Sequence, residues 1–394
     1  MNTDIVIVDA VRTAIGEFGG ALREQPPADL GSAVVRALLA RTGLSGDTVD
    51  QVIFGNVHQT SAGDMYLARR VALGGGVAPR AGALTVNRLC GSGLESVLLA
   101  AQFIDSGEAE TAIGGGAETM SLAPYMLPAH RFGSRPGDVV AIDTLMGGLT
   151  DPMTGVHMGE LGERVAASRD IGRAEQDAIA LASHQRAAHA IEAGYFDAQI
   201  VPLDIGTARK PATFSRDERV RATPCADDFA QLKPVFRREG GTITAANASG
   251  ISDGACAVLL TSTRNAQTRR LRPLARLVAH ARVGVPPEEM GFGPVVATRE
   301  VLKRADLHIG QIGVIEVNEA FASVVGAFLK EMSLDASRVN PNGGAIALGH
   351  PVGATGAILV TKAAYELQRT GARYALVTTC IGGGQGMAVI LERV

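Results

Sequence analysis

Short runs of β-branched and apolar residues alternate along the chain with longer stretches rich in alanine and leucine. Runs such as Ile5-Val6-Ile7-Val8 and Val314-Ile315-Glu316-Val317 have the length and composition of buried strands. The pattern predicts strands at 5–8, 51–54, 112–114, 257–260, 314–317, 375–379 and 388–391. It predicts helices at 30–41, 94–106, 174–193, 298–305 and 355–370. Strands that alternate with helices signify α/β architecture. The helix after Cys90-Gly91-Ser92-Gly93 is mostly apolar from Leu94 to Ala101, as a buried helix is.

The pattern also repeats. Val52-Ile53-Phe54-Gly55-Asn56-Val57 parallels Val314-Ile315-Glu316-Val317-Asn318-Glu319, and the interval from Val52 to Cys90 equals that from Val314 to Val352. The helix opening at Cys90 thus has a counterpart opening just after His350-Pro351. Ile113-Gly114-Gly115-Gly116 echoes Ile381-Gly382-Gly383-Gly384. Three features in the same order predict duplicated halves. Between them, 121–246 is richer in turns and arginines. Its stretch 207–221 sets Arg209, Lys210, Arg216, Arg219 and Arg221 against only Asp217 and Glu218. We read this segment as an excursion from the first half that covers a site.

Length and composition narrow the function classes. A chain of 394 residues exceeds one hydrophobic core, so at least two lobes are expected. A net charge of −3 gives no reason to expect nucleic acid or an anionic membrane as partner. No apolar run reaches membrane-spanning length. Met1-Asn2-Thr3-Asp4 leads straight into a strand without a targeting pattern, and Glu392-Arg393-Val394 is not a peroxisomal address. The four cysteines are widely spaced, lack a C-x-x-C pair and form no disulfide framework. A reducing, cytoplasmic location is expected.

Two of those cysteines stand in glycine-rich junctions. Cys90 lies in Asn87-Arg88-Leu89-Cys90-Gly91-Ser92-Gly93, where a helix dipole would favour thiolate; a buried cysteine closing a tight turn is an equally good reading. His350, in Gly349-His350-Pro351, can serve as base or donor, although backbone satisfies most lone histidines. Cys380 precedes Gly382-Gly383-Gly384-Gln385-Gly386. The strand-like Met387–Leu391 run after it excludes a dinucleotide fingerprint and suggests a strand–turn–strand whose N–H groups hold an oxyanion. A zinc site lacks the ligand spacing, and no metal is expected. Asn318-Glu319-Ala320-Phe321 offers an asparagine that orients water or caps a helix, and a glutamate that could orient a histidine. His157 reads as a packing residue. Cys225 and Cys256 have no comparable setting.

Taken together, Asn87–Gly93, Asn318–Phe321, Gly349–Thr355 and Cys380–Gly386 resemble the thiolase family of acetyl-CoA acetyltransferases and β-ketothiolases. The resemblance runs from Val11-Arg12-Thr13-Ala14-Ile15-Gly16 through Asn247-Ala248-Ser249-Gly250 to the C-terminal motif. It implies two βαβαβαββ halves in five layers, α-β-α-β-α, with an inserted loop domain. The boundaries it implies are 1–120, completed by 247–269, for the first half, 121–246 for the lid, and 270–394 for the second half. It implies reversible Claisen condensation of two acyl-CoA molecules to 3-ketoacyl-CoA and coenzyme A. In that reading Cys90 is the nucleophile, and His350 activates it and shares an oxyanion site with a water held by Asn318. Cys380 is the acid/base, and the N–H groups of Cys90 and Gly382 form a second oxyanion hole. Ser249 and His157 fall near the pantetheine arm, and Met158, Phe236, Met290 and Phe321 near the acyl or pantetheine end. Arg221 approaches the nucleotide. Asp228 stands where relatives often have serine, and Ala246 where glycine is frequent, which would narrow the pocket. Coenzyme A and acyl-CoA are expected as substrates, with no permanently bound cofactor, and the chain is expected to be a homotetramer or homodimer.

Overall fold

The computed structural model describes residues 4–133, 136–206 and 211–394. In the first half, strands β1 (Ile5–Thr13), β2 (Gln51–Gly55), β3 (Gly82–Val86), β4 (Thr111–Thr119) and β5 (Ser252–Ser262) alternate with helices α1 (Pro27–Thr42), α2 (Leu67–Gly74) and α3 (Ser92–Asp105). Between β4 and β5 the chain makes its excursion, which includes α4 (Met158–Ser168) and α5 (Arg173–Glu192). The second half holds β6 (Ala275–Gly284), α6 (Gly293–Ala305), β7 (Ile312–Val317), α7 (Ala322–Met332), α8 (Thr355–Thr370), β8 (Tyr374–Ile381) and β9 (Gln385–Arg393).

The strands run β7-β8-β9-β6-β1-β5-β4-β2-β3, so each half contributes the same order and the two join where Val6 and Ile7 pair with Arg276 and Ala275. The period of two along each strand sorts side chains between layers. Cys256, Val258 and Leu260 of β5 share a core with Val377 of β8 and with helices α3 and α8. Ala255, Ala257 and Leu259 face the other way, onto α1 and α2. Leu376 and Ile390 pack on α6 and α7. The result is five layers, α-β-α-β-α, with α3 and α8 sandwiched at the centre. Strands buried on both faces read as continuous apolar runs, which is why the sequence marked them.

Register tests the repeat. Val52 pairs with Ile113 in the first half, and Val314 with Ala375 in the second. The duplicated strand–helix units therefore superimpose, but Ile113 matches Ala375 and not Ile381. The echo of Ile113–Gly116 in Ile381–Gly384 is not part of the repeat. The first glycine run lies inside β4, where a Cβ on Gly114 would come 2.6 Å from Val97 Cα of α3. The second is a hairpin turn. The third strand of the second half shrinks to a single bridge, Ile315 to Val339, because Asn340 turns to φ +49° and Pro341 lacks a donor.

Candidate active site

The pocket opens where the loops after β2, β3 and β7 meet the β8–β9 hairpin. Between β3 and α3, Asn87 Oδ1 accepts from Leu89 N (3.0 Å), while Ser92 Oγ accepts from Arg88 N (2.8 Å) and donates to Leu89 O (2.7 Å). These bonds hold Leu89 at φ +47°, an uncommon conformation for leucine. The kink places Cys90 just before α3 with its sulfur toward the pocket. Burial pushes the Cys90 thiol up to about 11; the Gly382 N–H, donating to it from the other half, opposes that rise, and Glu118 adds to it. Loss of water thus opposes the thiolate that the helix dipole would favour.

His350 is fixed through its backbone N–H, which donates to Gly250 O (3.1 Å) and Ser252 Oγ (3.2 Å). Its Nδ1 lies 2.6 Å from Thr355 Oγ1, and that hydroxyl also reaches Pro351 O at 2.9 Å. A carbonyl can only accept, so the one hydroxyl proton goes to Pro351 and Nδ1–H donates to Thr355. Nε2 is left as an acceptor, 3.4 Å from Asn318 Nδ2. Burial lowers His350 to about 4. Asn318 Oδ1 is buried and has no hydrogen-bond partner among the described residues. Cys380 is the penultimate residue of β8, opposite Gly386, and Gly383 and Gly384 turn the chain with φ +79° and +76°. Burial, then the adjacent Cys90 sulfur, push the Cys380 thiol upward.

Cys90, His350, Cys380 and Gly382 share a mostly apolar pocket, open to solvent, which Met158, Ser249, Met290 and Phe321 also line. His157 and Phe236 stand behind Phe321. Phe236 meets the Phe321 ring edge-on and stacks on His157 at 4.8 Å, while His157 Nδ1 caps α4 by accepting from Gly159 N (3.0 Å). Arg221 lies outside the pocket, exposed over the Phe229 ring at 5.2 Å, near the short helix Ala226–Ala230 that carries exposed Asp228.

Several expectations need correction. Asn318 does not cap a helix, because α7 starts only after Phe321. Glu319 orients no histidine; it accepts from Ser183 Oγ, Asn340 Nδ2 and Ile346 N at 2.7–3.0 Å. Arg219 is a staple, donating to Ile346 O and Ala245 O. Ala246 packs with Ala180, Phe229 and Ile346 and does not narrow the pocket. Arg209 and Lys210 lie outside the described residues.

The sequence reading missed Thr355, Glu118 and His58. Glu118 is fully buried and accepts from Asn56 Nδ2 and the N–H groups of Val57, His58 and Gly353 at 2.8–3.1 Å. Burial pushes its carboxyl up to about 8, against the pull of those N–H groups. The repeat offered a signal: Asn56, Val57 and His58 occupy the positions of Asn318, Glu319 and Ala320.

Residues 5–264 match the thiolase N-terminal domain and residues 271–393 the thiolase C-terminal domain. The chain belongs to the thiolase family. It is 53% identical over 394 residues, all of both chains, to beta-ketothiolase BktB of Cupriavidus necator. It is 46% identical over 390 residues, 98% of each chain, to the acetyl-CoA acetyltransferase of Escherichia coli K12. The solved structure of human mitochondrial 3-ketoacyl-CoA thiolase in complex with CoA matches with a TM-score of 0.96 at 40% identity, covering 100% of this chain and 98% of that one. This thiolase is thus an acyltransferase. Among its described residues no helix is long and apolar enough to cross a membrane.

Proposed function

We propose that this thiolase interconverts two acyl-CoA molecules with a 3-ketoacyl-CoA and free coenzyme A through an acyl group on Cys90. In the cleavage direction Cys90 passes its proton to His350 Nε2, and its sulfur attacks the C3 carbonyl carbon. The C2–C3 bond breaks, and the electron pair left on C2 takes the proton of Cys380, releasing acetyl-CoA. Coenzyme A then attacks the acyl-sulfur ester. Its thiol proton ends on Cys380, Cys90 leaves as thiolate, and His350 returns the first proton. Condensation is the reverse. A C–H acid as weak as an acetyl methyl needs a strong base, and a thiol with a raised pKa makes one once ionised. The N–H groups of Cys90 and Gly382 serve one oxyanion. His350 with a water on the unpaired Asn318 Oδ1 serves the other.

What supports this reading above all is one pocket lined by Cys90, whose sulfur takes a Gly382 N–H, by Cys380, and by a neutral His350 whose Nε2 is an acceptor. Ser249, His157, Met158, Met290, Phe236 and Phe321 would flank the pantetheine and acyl groups, and exposed Arg221 would meet the phosphates. We also read 121–246 as the lid over this site, between halves 1–120 (with 247–269) and 270–394. The enzyme is proposed to be a cytoplasmic homodimer or homotetramer with no permanently bound cofactor. Thiolysis of acetoacetyl-CoA tests the mechanism. Cys90→Ala should lose roughly 10³-fold or more of the rate and form no acyl-enzyme. Cys380→Ser should still acylate Cys90 from acetyl-CoA while condensation slows about 10²–10⁴-fold. Undiminished turnover in either variant would sink the assignment.

A further inference from the structure

The pocket wall beside Cys90 holds a polar side chain that the mechanism leaves without a task. His58 stands in the loop after β2, its N–H donating to Glu118 Oε1 (2.9 Å) and its carbonyl accepting from Asn56 Nδ2 (3.3 Å). The residue is 6% exposed and lines the pocket among apolar neighbours, Val57, Leu89, Leu149 and Val352. Its ring makes no hydrogen bond to any described residue. Opposite it, a Cβ on Gly148 would fall 2.5 Å from His58 Cε1, so the glycine gives the imidazole its room. Neither ring nitrogen is among the buried unpaired atoms, so the imidazole is open to the pocket, and a ligand that displaces water from it must itself supply a partner or leave the ring unpaired. That requirement points to a ligand atom that pairs with the ring.

We propose that His58 makes this thiolase selective for short acyl chains that end in a hydroxyl group, which hydrogen-bonds to the ring while the acyl group sits on Cys90. The proposal rests on Cys90 being the acyl carrier. Burial lowers the His58 pKa more than Asp143 raises it, so the ring is neutral near pH 7. A neutral imidazole donates from one nitrogen and accepts at the other, and a hydroxyl answers either role. A terminal methyl leaves the ring unpaired. A terminal carboxylate would bring a desolvated anion near Asp143, which disfavours it.

Competition between isosteric acyl groups tests this. The enzyme is mixed with equal 3-hydroxypropanoyl-CoA and butanoyl-CoA, and in a second run with succinyl-CoA added. The adducts on the Cys90 peptide are then counted by mass spectrometry. The hydroxyacyl-to-butanoyl ratio should be about tenfold higher in the wild type than in His58→Leu, with succinyl trailing in the wild type. Gly148→Ala, which displaces the ring without removing it, should lower the ratio in the same direction and covers the case of a His58→Leu protein that does not fold. Adducts in the same proportion in wild type and variants would overturn the selectivity and leave the acyl-enzyme standing. No Cys90 adduct with any of the three would overturn the acyl-enzyme and this proposal together.

Discussion

At the scale of single residues, the decisive effect is removal of water from the groups that exchange protons. Among the described residues His350 has no charged partner and donates Nδ1–H to a neutral hydroxyl, so burial sets its affinity for protons, lowering it to about 4. A base with that value stays competent far below the range of an ordinary imidazole. If Cys90 acylation from acetyl-CoA is followed, kcat/KM should change less than twofold between pH 7.5 and 5.5. An imidazole near 6.5 would lose about tenfold over the same interval. A tenfold fall by pH 5.5 in protein that is still folded would refute the neutral, buried base. The same histidine affects stability with a definite sign. Its folded pKa lies below the unfolded one, so its stabilising share is present above pH 6.5 and drains as pH falls toward 4. How much of this was legible in sequence follows from what each residue needs. Cys90, Cys380 and His350 were visible because glycine must flank groups that ligands and backbone approach closely. Thr355, Glu118 and His58 were not, since a threonine inside a helix, an acid ending a strand and a histidine in a loop acquire their meaning only from partners that topology delivers.

At the scale of elements, the two central helices are the part of the fold on which the site depends. Gly93 at the start of α3 and Gly356 at the start of α8 face each other: a Cβ on Gly93 would lie 2.8 Å from Ala357 N, and one on Gly356 would collide with Leu94 N. The collision is with backbone, which cannot swing aside, so the helix that follows Cys90 and the helix that carries Thr355 would be driven apart. Gly356→Ala should therefore destabilise the protein by about 3 kcal/mol, despite alanine's better helix propensity. Gly310→Ala, at an exposed position with nothing within 4 Å, is the control and should be near neutral. Urea unfolding midpoints decide it, and equal midpoints would mean the helix pair yields. These helices and most strands could be read from sequence because burial on all sides leaves an unbroken apolar run. Strand β6 could not. Its Arg276 and Arg282 break the run, yet they belong there because Arg276 pairs with Glu392 of β9 and Arg282 with Glu95 of α3. Strand β4 was read short, since its glycines look like a turn until a helix is packed against them.

At the scale of the whole molecule, the duplication covers one end of the sheet and leaves the other open. On the second-half side the outer position is a single bridge at Val339, which is buried together with Asn340. On the first-half side β3 is a full edge strand whose Ala83 and Leu84 are exposed, with Leu84 at 40%. Near it in sequence, Met65, Tyr66 and Leu73 are also exposed, at 63%, 68% and 46%. An uncharged edge strand with apolar side chains around it invites pairing, and native proteins blunt such edges or cover them. Neither lysine nor proline lies within β3. A second copy of the chain, docked edge to edge by a twofold axis, would pair the strands and bury these side chains at once. On this argument the 40.8 kDa chain should scatter light as a particle of twice or four times that mass at micromolar concentration. Leu84→Asp, which places a charge on each copy at the contact, should shift the mass toward that of one chain. Because Leu84 lies outside the pocket, the shifted protein should keep a Cys90 that still accepts acetyl groups, though more slowly if pairing steadies the loop that follows β3. A wild type that runs as a single chain, or a Leu84→Asp variant with unchanged mass, would show that something other than a second copy of this edge covers it.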